Sequence, residues 1–380
     1  MRSRGPSDFP IADFQNSQSH PGELKCMLRP CRLPTAISRH FLISPRIITV
    51  SNRCYSTLVK SGAGKNVELY SAAPRTIRDI LTPSRVALLD LTLAPYLPES
   101  LREIRYPSSE LPPAYHFLFF PTSTSELDTL SDGYEKHFAP KVPFKRRLWT
   151  QGRLAFSDRH LEIGNWAECV ETVERVSVDA NGTGVWMERT MKTPYSTTEG
   201  WSIKEMRCLR YVQNTHGKDE ESGNGSGAPL SGADCILQHT FTPPQILLTR
   251  YSYLIHNFHR IHIDPQYARS AEGYPNVLVH GPLSVTFILT ILSRFYISQN
   301  TPFKIKTAKY VMYRPLYADN PTTLTITNTK SGRTRVILWN HQNQKSVECI
   351  ITHLKWNILP YLPWHHNSMP RLTLKWLIRL

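Results

Sequence analysis

The sequence contains no apolar run long enough to cross a membrane. Its longest strongly apolar stretch, residues 283–292, falls far short of the roughly 20 residues that a spanning helix needs. Hydrophobic residues make up 40% of the 380-residue chain, which is typical of a soluble globular protein with one large or two medium domains. We therefore expect no integral membrane segment.

Regular cysteine spacing and nucleic-acid-binding motifs are both missing. The seven cysteines include no CxxC pair, so those beyond the N-terminal region indicate reduced thiols of an intracellular compartment. The formal net charge is +15, but no aromatic-basic interleaving or recognised motif accompanies it. Nucleic acid is therefore not an expected partner.

Acidic residues are absent between residues 24 and 67, a stretch that carries eight Lys and Arg residues and several serines. This composition is typical of a mitochondrial import signal. We predict a disordered import segment over residues 1–60 and a location in the mitochondrial matrix; a plain basic tail is the alternative. Asp8, Asp13 and Glu23 are atypical of such a signal, and Met27 would make a cleaner start.

Periodicity along the rest of the chain predicts strands on both sides of a polar linker. The Gly- and Ser-rich linker, residues 216–235, cannot form a core. Residues 281–296 are apolar on nearly every side and predict a buried helix. Asn181-Gly182 predicts a hairpin turn. The predicted strands are 116–120, 152–156, 167–178, 184–193, 201–212, 304–311, 322–328 and 334–340, and residues 76–81 and 84–93 have helical or mixed patterns.

The densest group of reactive side chains lies in the HNFHRIHID stretch, residues 256–264, and in His280-Gly281. A zinc site is one interpretation, but histidines three residues apart on an extended strand do not converge on one ion. Histidines that only pack or cap are a second. The third is an acid/base site, because an imidazole titrates near neutral pH and can accept a proton and later donate it.

Elimination of water β to a thioester needs such a proton carrier together with a donor to the thioester carbonyl. A backbone N–H at a helix start supplies the donor, since the helix dipole favours developing negative charge there. His262 precedes a short turn, and Gly281 opens the apolar helix with a residue that permits close approach. The local layout agrees with this chemistry.

Several segments resemble one known family, the MaoC-like, R-specific hydratases. Within that family the sequence is most similar to the mitochondrial 3-hydroxyacyl-thioester dehydratases of fatty acid synthesis. The resemblance covers most of residues 115–340. The segments are YSY at 251–253, HIDPQYA at 262–268, EGYP at 272–275 and LVHGPL at 278–283, with KRRLW at 145–149, GRL at 152–154 and YRPLY at 313–317.

The resemblance implies an α+β double hot-dog fold, in which each unit is an antiparallel sheet curled around a central helix. The N-terminal unit, residues 66–215, would help to bind the acyl chain, and the C-terminal unit, residues 236–355, would be catalytic. Residues 356–380 form an atypical basic tail: either an artefact of the gene model or, in part, a membrane-surface helix. Because the chain after Trp339 departs from the family pattern, we expect the last strand of the catalytic unit to be altered.

The resemblance also implies the site residues. His262 would act as base and acid, and Gly281 would bind the thioester oxygen. Asn257 stands where the broader family has Asp; since an amide cannot take a proton, it would position the water or hydroxyl. His280 would line the pocket, and His259 and Arg260 would contact the phosphate-bearing arm or lie exposed. Asp264 before Pro265 is expected to be a helix cap.

No cofactor or metal is expected for this chemistry. The expected partners are thioesters of acyl carrier protein or coenzyme A, with Arg146, Arg147, Lys304, Lys306 and Lys309 as phosphate ligands, and a homodimer is a candidate assembly. Two other functions stay open. One is a coenzyme A hydratase for short branched or dicarboxylic enoyl groups. The other is a non-catalytic acyl-binding protein, favoured by Asn257 and the tail.

Overall fold

The computed structural model describes residues 57–61, 66–106, 108–121, 124–194, 200–213, 235–301, 303–329 and 332–355. The α-helices in these ranges are α1 (Pro83–Leu93), α2 (Glu99–Arg102), α3 (Gln245–Ile255), α4 (Pro265–Ser270) and α5 (Gly281–Ser298). The strands are β1 (Thr57–Lys60), β2 (Asn66–Leu69), β3 (Arg75–Ile80), β4 (Arg146–Phe156), β5 (Trp166–Asp179), β6 (Gly182–Lys192), β7 (Ile203–Val212), β8 (Cys235–Phe241), β9 (Phe303–Met312), β10 (Thr322–Asn328), β11 (Thr334–Trp339) and β12 (Lys345–Lys355).

Ten of these strands form one antiparallel sheet in the order β3-β5-β6-β7-β4-β9-β12-β11-β10-β8. The order divides it into an N-terminal half, β3 to β7, and a C-terminal half, β8 to β12, each of five strands. The halves join where β4 pairs with β9, for example Gly152 opposite Tyr310. Residues from both halves of the chain share one hydrophobic core.

Helix α5 is the centre of the C-terminal half. The predicted helix over residues 281–296 is confirmed, two residues longer at its end, and 14 of its 18 residues are buried. Its length and composition alone would allow a membrane crossing, but 78% of it is buried inside the protein. The buried guanidinium of Arg294 ties it to the N-terminal half through Asp90 of α1, at 2.6 Å.

The N-terminal half has a shorter and more exposed helix. Helix α1 begins with Pro83 at its first turn, where a missing N–H does no harm. It buries Leu89, Thr92 and Leu93 and leaves Leu88 and Leu91 on the surface.

Several local predictions were wrong for identifiable reasons. A 3-10 helix at Tyr115–Leu118 replaces the strand predicted over residues 116–120, because the positive φ angles of Ala114 and Phe120 interrupt an extended backbone on either side. Residues 75–80 alternate in burial and pair with β5 as strand β3. The hairpin before β6 is confirmed, but its turn residues are Ala180 and Asn181, and Gly182 takes the positive φ of 127°.

The structure also corrects both ends of the predicted arrangement. Strand β12 pairs with both β11 and β9, so the C-terminal half has a complete last strand. Strand β1 pairs with β2, so the last four residues of the expected disordered segment 1–60 are an ordered strand. The rest of that segment up to residue 56, the linker 216–234 and the tail 356–380 lie outside the described residues.

Candidate functional site

The site is built where α3 ends and the chain reverses. His256 closes α3 with a positive φ of 52°, and a 3-10 turn follows at Arg260–His262. Asp264 then caps α4, because its carboxylate accepts the Tyr267 N–H at 2.9 Å, as predicted. These short elements define the path of the backbone from residue 256 to residue 264.

His262 has one ring nitrogen committed and one available. Its Nδ1 lies 2.8 Å from the carbonyl oxygen of Leu278, which can only accept, so Nδ1 carries the hydrogen in the neutral ring. The Leu278 N–H in turn donates to Ile261, which holds the two segments together. The remaining nitrogen, Nε2, is thereby the proton-accepting atom.

His280 lies directly against His262. The two rings stack with centroids 3.7 Å apart, and Nε2 of His280 is hydrogen-bonded to Ser252 of α3 at 2.8 Å. Burial, and then the charge of His259, lower the pKa of His262 to about 3. Burial and the two neighbouring histidines also lower the pKa of His280 well below its usual value. Both rings are therefore neutral at physiological pH.

These neutral rings predict acid-dependent stability. Burial lowers the folded-state pKa values of His116, His262 and His280 below the value of about 6.5 that histidine has in the unfolded chain. Below pH 6.5 the unfolded chain therefore binds protons at these rings that the folded protein does not bind, and for His262 this window extends down to about pH 3. Each ring should remove up to about 1.4 kcal/mol of stability per pH unit in this window. Urea unfolding at pH 7.5, 6 and 5 measures this. A free energy of unfolding that does not fall would show that these rings are not buried as neutral groups.

Asn257 presents a donor at this site. Its Oδ1 accepts the His259 backbone N–H at 3.1 Å, which assigns the oxygen and leaves Nδ2 as the free end of the amide. Asn257 also borders a cavity of about 470 Å³. The amide can therefore donate to an oxygen in that cavity but cannot exchange a proton with it.

Gly281 begins α5, where the first amide groups have no partner within the helix. A Cβ at this position would lie 3.0 Å from ring atoms of Trp149, so only glycine leaves this contact undisturbed. The ring of Trp149 is fixed by a hydrogen bond from Nε1 to the Tyr310 hydroxyl at 3.1 Å. The ring stack of His262 on His280 places the proton-accepting side chain beside the residue preceding Gly281.

The cavity extends from this site into the N-terminal half. Asn257, Pro282 and Trp149 form its wall near the site. Gly281 precedes Pro282 and lies against Trp149, but His262, His280 and Gly281 are not among the lining residues. Its apolar lining includes Phe117, Phe119, Phe120, Phe138, Met187 and Leu209. Space of this size suits a substrate chain of moderate length.

Charged side chains also line the cavity, and of these only Arg147 was among the residues predicted from the sequence. Arg75, Arg147, Arg189 and Arg207 border it, together with Glu135 and Glu171. Arg189 pairs with Glu171 and Glu205, and Arg207 pairs with Glu205 and stacks on Trp149 at 4.6 Å. These arginines keep the pKa values of Glu171 and Glu205 below their usual range, against the effect of burial. The network belongs to strands β3, β5, β6 and β7, so no local sequence pattern joins its members.

His259 and Arg260, which were predicted to contact the phosphate-bearing arm or to lie exposed, are not part of the cavity lining. His259 is only 4% exposed and faces Asp132 and Glu272, whose negative charge would repel a phosphate. Arg260 forms an exposed pair with Asp264 at 2.8 Å and stacks on Tyr267.

Four of the five cations predicted to bind the carrier phosphate already have hydrogen-bond or ion-pair partners within the protein. Arg146 and Arg147 are buried, Arg146 donating to the Glu272 carbonyl and Arg147 to the Glu135 carbonyl. Lys304 and Lys306 pair with Asp158, and Lys309 is exposed on β9.

Comparisons with known proteins agree on one family. A sequence model of hydroxyacyl-thioester dehydratase type 2 matches residues 114–318. The mitochondrial hydroxyacyl-thioester dehydratase type 2 of Schizosaccharomyces pombe is 29% identical over 279 residues, covering 68% of this chain and 91% of that protein. Mesaconyl-C(4)-CoA hydratase of Chloroflexus aurantiacus is 30% identical over 198 residues, covering 50% of this chain and 67% of that protein.

A solved structure shows the fold. The MaoC-like dehydratase of Phytophthora capsici aligns with a TM-score of 0.50 at 15% identity, covering 75% of this chain and 97% of that chain. Together with the two five-stranded halves and their helices, this likeness confirms the predicted α+β double hot-dog fold.

Proposed function

The chain belongs to the hydroxyacyl-thioester dehydratases of type 2, and from this premise we propose that it is a hydro-lyase for (3R)-3-hydroxyacyl and trans-2-enoyl thioesters. The observation that carries the proposal is the pairing of a neutral imidazole, whose Nδ1 is committed to Leu278, with the start of α5. The first has a ring nitrogen that carries no proton and can accept one, and the second is a donor to an oxyanion.

In the proposed dehydration, Nε2 of His262 takes the C2 proton of the substrate. The electron pair moves towards the thioester carbonyl, whose oxygen receives a hydrogen bond from the Gly281 N–H. When the C2=C3 double bond forms and the C3–O bond breaks, Nε2–H returns the proton to the hydroxyl, which leaves as water. The Asn257 amide holds that oxygen. Hydration follows the same path in reverse, and no net proton is consumed.

We also propose the partners and the location. The substrate would be carried by acyl carrier protein or coenzyme A, and the protein would act in fatty acid synthesis in the mitochondrial matrix, as a homodimer. The name of the fission-yeast relative includes the mitochondrion, and the acid-free, basic stretch at residues 24–67 supports the same compartment.

A second candidate is a coenzyme A hydratase for dicarboxylic enoyl groups. Four arginines border the cavity, and a guanidinium is a suitable partner for a distal carboxylate. The relative named mesaconyl-C(4)-CoA hydratase points the same way. Against it, the cavity arginines already pair with Glu135, Glu171 and Glu205, or in the case of Arg147 with Asp132.

A panel of thioesters tests and separates these functions. Crotonyl, octenoyl and mesaconyl groups are offered on both carriers, and hydration is followed by the loss of enoyl absorbance. The main proposal expects kcat/KM to be higher for octenoyl than for mesaconyl; the reverse order would favour the second candidate. Binding without hydration of any substrate would reject both and leave the non-catalytic protein.

A further inference from the structure

The charged side chains at the cavity belong to a ladder of ion pairs across the N-terminal half of the sheet. Arg75 of β3 lies opposite Glu171 of β5, and Glu171 lies opposite Arg189 of β6. Arg189 in turn lies opposite Glu205 of β7. Each of these opposed pairs is also an ion pair. Arg207, two residues beyond Glu205 on β7, completes the ladder with two hydrogen bonds to Glu205 at 2.7 and 2.8 Å.

The ladder runs along the cavity, away from the candidate site. Arg207 stacks on Trp149 at 4.6 Å, and the same indole lies against the start of α5. At the other end of the ladder, the Arg75 guanidinium lies over the Phe138 ring at 5.2 Å. Strands β7 and β6 are the first and second strands beyond β4, which carries Trp149, so they lie about 5 and 10 Å from it. Arg207 and Arg189 are therefore placed beside the part of a substrate that extends beyond its reacting carbons.

Two nitrogens of the ladder have no hydrogen-bond partner in the described part of the chain. Arg189 donates through Nε to Glu171 and through Nη1 to Glu205. Arg207 donates through Nε and Nη2 to Glu205. Nη2 of Arg189 and Nη1 of Arg207 remain, and neither is one of the enclosed polar atoms without a partner, so each reaches open space. Because both side chains border the cavity, these N–H groups are available to an acceptor inside it.

The charge balance of the ladder indicates an uncharged acceptor. Its three arginines are matched by three carboxylates, those of Glu135, Glu171 and Glu205. Arg147, the fourth arginine at the cavity, faces Asp132 at 3.2 Å. A carboxylate ligand would add an uncompensated negative charge beside Glu135 and Glu171, which is costly in a buried place. A carbonyl or hydroxyl oxygen adds no charge and satisfies the N–H groups, whereas a plain alkyl chain leaves them without a partner.

We propose that Arg189 and Arg207 determine substrate specificity by binding an uncharged oxygen of the substrate beyond its reacting carbons. The phenylalanines of the lining cover the apolar atoms on either side of that oxygen. Two parts of a thioester supply such an oxygen: a keto or hydroxyl group on the acyl chain, and an amide carbonyl of the pantetheine arm. The inference rests on the proposed function for the class of substrate, but binding of the oxygen needs no turnover.

Calorimetry with saturated thioesters, which are not hydrated, tests the proposal. Octanoyl-pantetheine is compared with its analogues that carry a keto oxygen at C5, C6 or C7. Butyryl-pantetheine is compared with S-butyl thiobutyrate, which lacks both amides. In at least one comparison the ligand with the oxygen should have a Kd about tenfold lower or better, because its hydrogen bond is to a charged group. A preference for a keto analogue assigns the oxygen to the acyl chain, and a preference for the pantetheine thioester assigns it to the arm.

Arg207→Met tests whether the ladder causes the preference. The variant lacks one of the two donors, so the preference should fall by about tenfold. Arg210→Met is the matched control, since Arg210 lies on the same strand, pairs with Asp179 and is not among the lining residues. Its preference should equal that of the wild type. Arg207→Lys keeps the charge beside Glu205 but has no second terminal nitrogen, and it should show the same loss if the methionine variant does not fold.

Two results would overturn the proposal. One is equal affinity of the wild type for the ligands with and without the oxygen, in both comparisons. The other is a preference that survives unchanged in the folded Arg207 variants. Neither result depends on whether the protein hydrates a thioester, which the panel of enoyl substrates decides separately.

Discussion

Replacing His262 with asparagine should lower kcat/KM for enoyl-thioester hydration by about 10²–10⁴-fold, the usual contribution of a general acid–base group. The amide of asparagine can take over the hydrogen bond that Nδ1 makes to the Leu278 carbonyl. It leaves nothing at the position of Nε2. The loss should therefore fall on kcat more than on KM, because substrate contacts in the cavity remain.

The fold of the variant is checked independently. The His262 ring is hydrogen-bonded to the Leu278 carbonyl and packs on His280. Asparagine keeps the hydrogen bond to Leu278 and loses the ring stacking. Far-UV circular dichroism and the unfolding midpoint should stay close to those of the wild type at pH 7.5. His341→Gln is measured alongside, since that histidine is exposed in the turn between β11 and β12. Wild-type turnover in a folded His262→Asn protein would remove His262 from the reaction.

Gly281→Val should lower kcat by at least about 10²-fold, comparable to the loss of one oxyanion donor. The φ angle of Gly281 is not in the positive range, so the helix itself tolerates a side chain. The cost comes from Trp149, since even a Cβ would approach its ring to 3.0 Å. The larger branched side chain must push the indole away and cover the amide at the start of α5.

Gly281→Ala gives the graded comparison. Alanine adds only the Cβ, so a shift of Trp149 by a few tenths of an ångström accommodates it, and we expect a smaller loss of kcat than for valine. Thermal unfolding of both variants separates a loss of fold from a loss of catalysis. Equal, wild-type turnover in the alanine and valine variants would show that the Gly281 amide does not contact the reacting oxygen.

The sequence predicted the helix and strands in which buried residues recur with the period of that element. Helix α5 and strands β5, β6, β7, β9 and β10 were found because burial on a helix or strand leaves a repeat in the sequence. Strand β12 was missed, although Val347, Cys349 and Ile351 are buried at alternate positions along it.

The candidate site was only partly predictable. His262, Asn257 and Gly281 lie within a short stretch that resembles a family. The structure places Asn257 at the cavity wall, Gly281 next to the lining residue Pro282, and His262 against His280, which precedes Gly281. Asp132 and Trp149 come from segments more than 100 residues earlier in the sequence. Their contact with the site depends on the pairing of β4 with β9 and on Gly133, whose φ of 79° lets this loop approach Phe258. No local signal encodes such a contact.

Exchange of the C2 protons of a saturated acyl thioester in D₂O tests the central claim most directly, because butyryl thioesters have no hydroxyl to lose. Only the base at His262 and the donor at Gly281 are then needed. We predict that the wild-type protein exchanges one of the two C2 protons for deuterium and that His262→Asn exchanges neither above the uncatalysed rate. Exchange by the folded variant as fast as by the wild type would contradict the account.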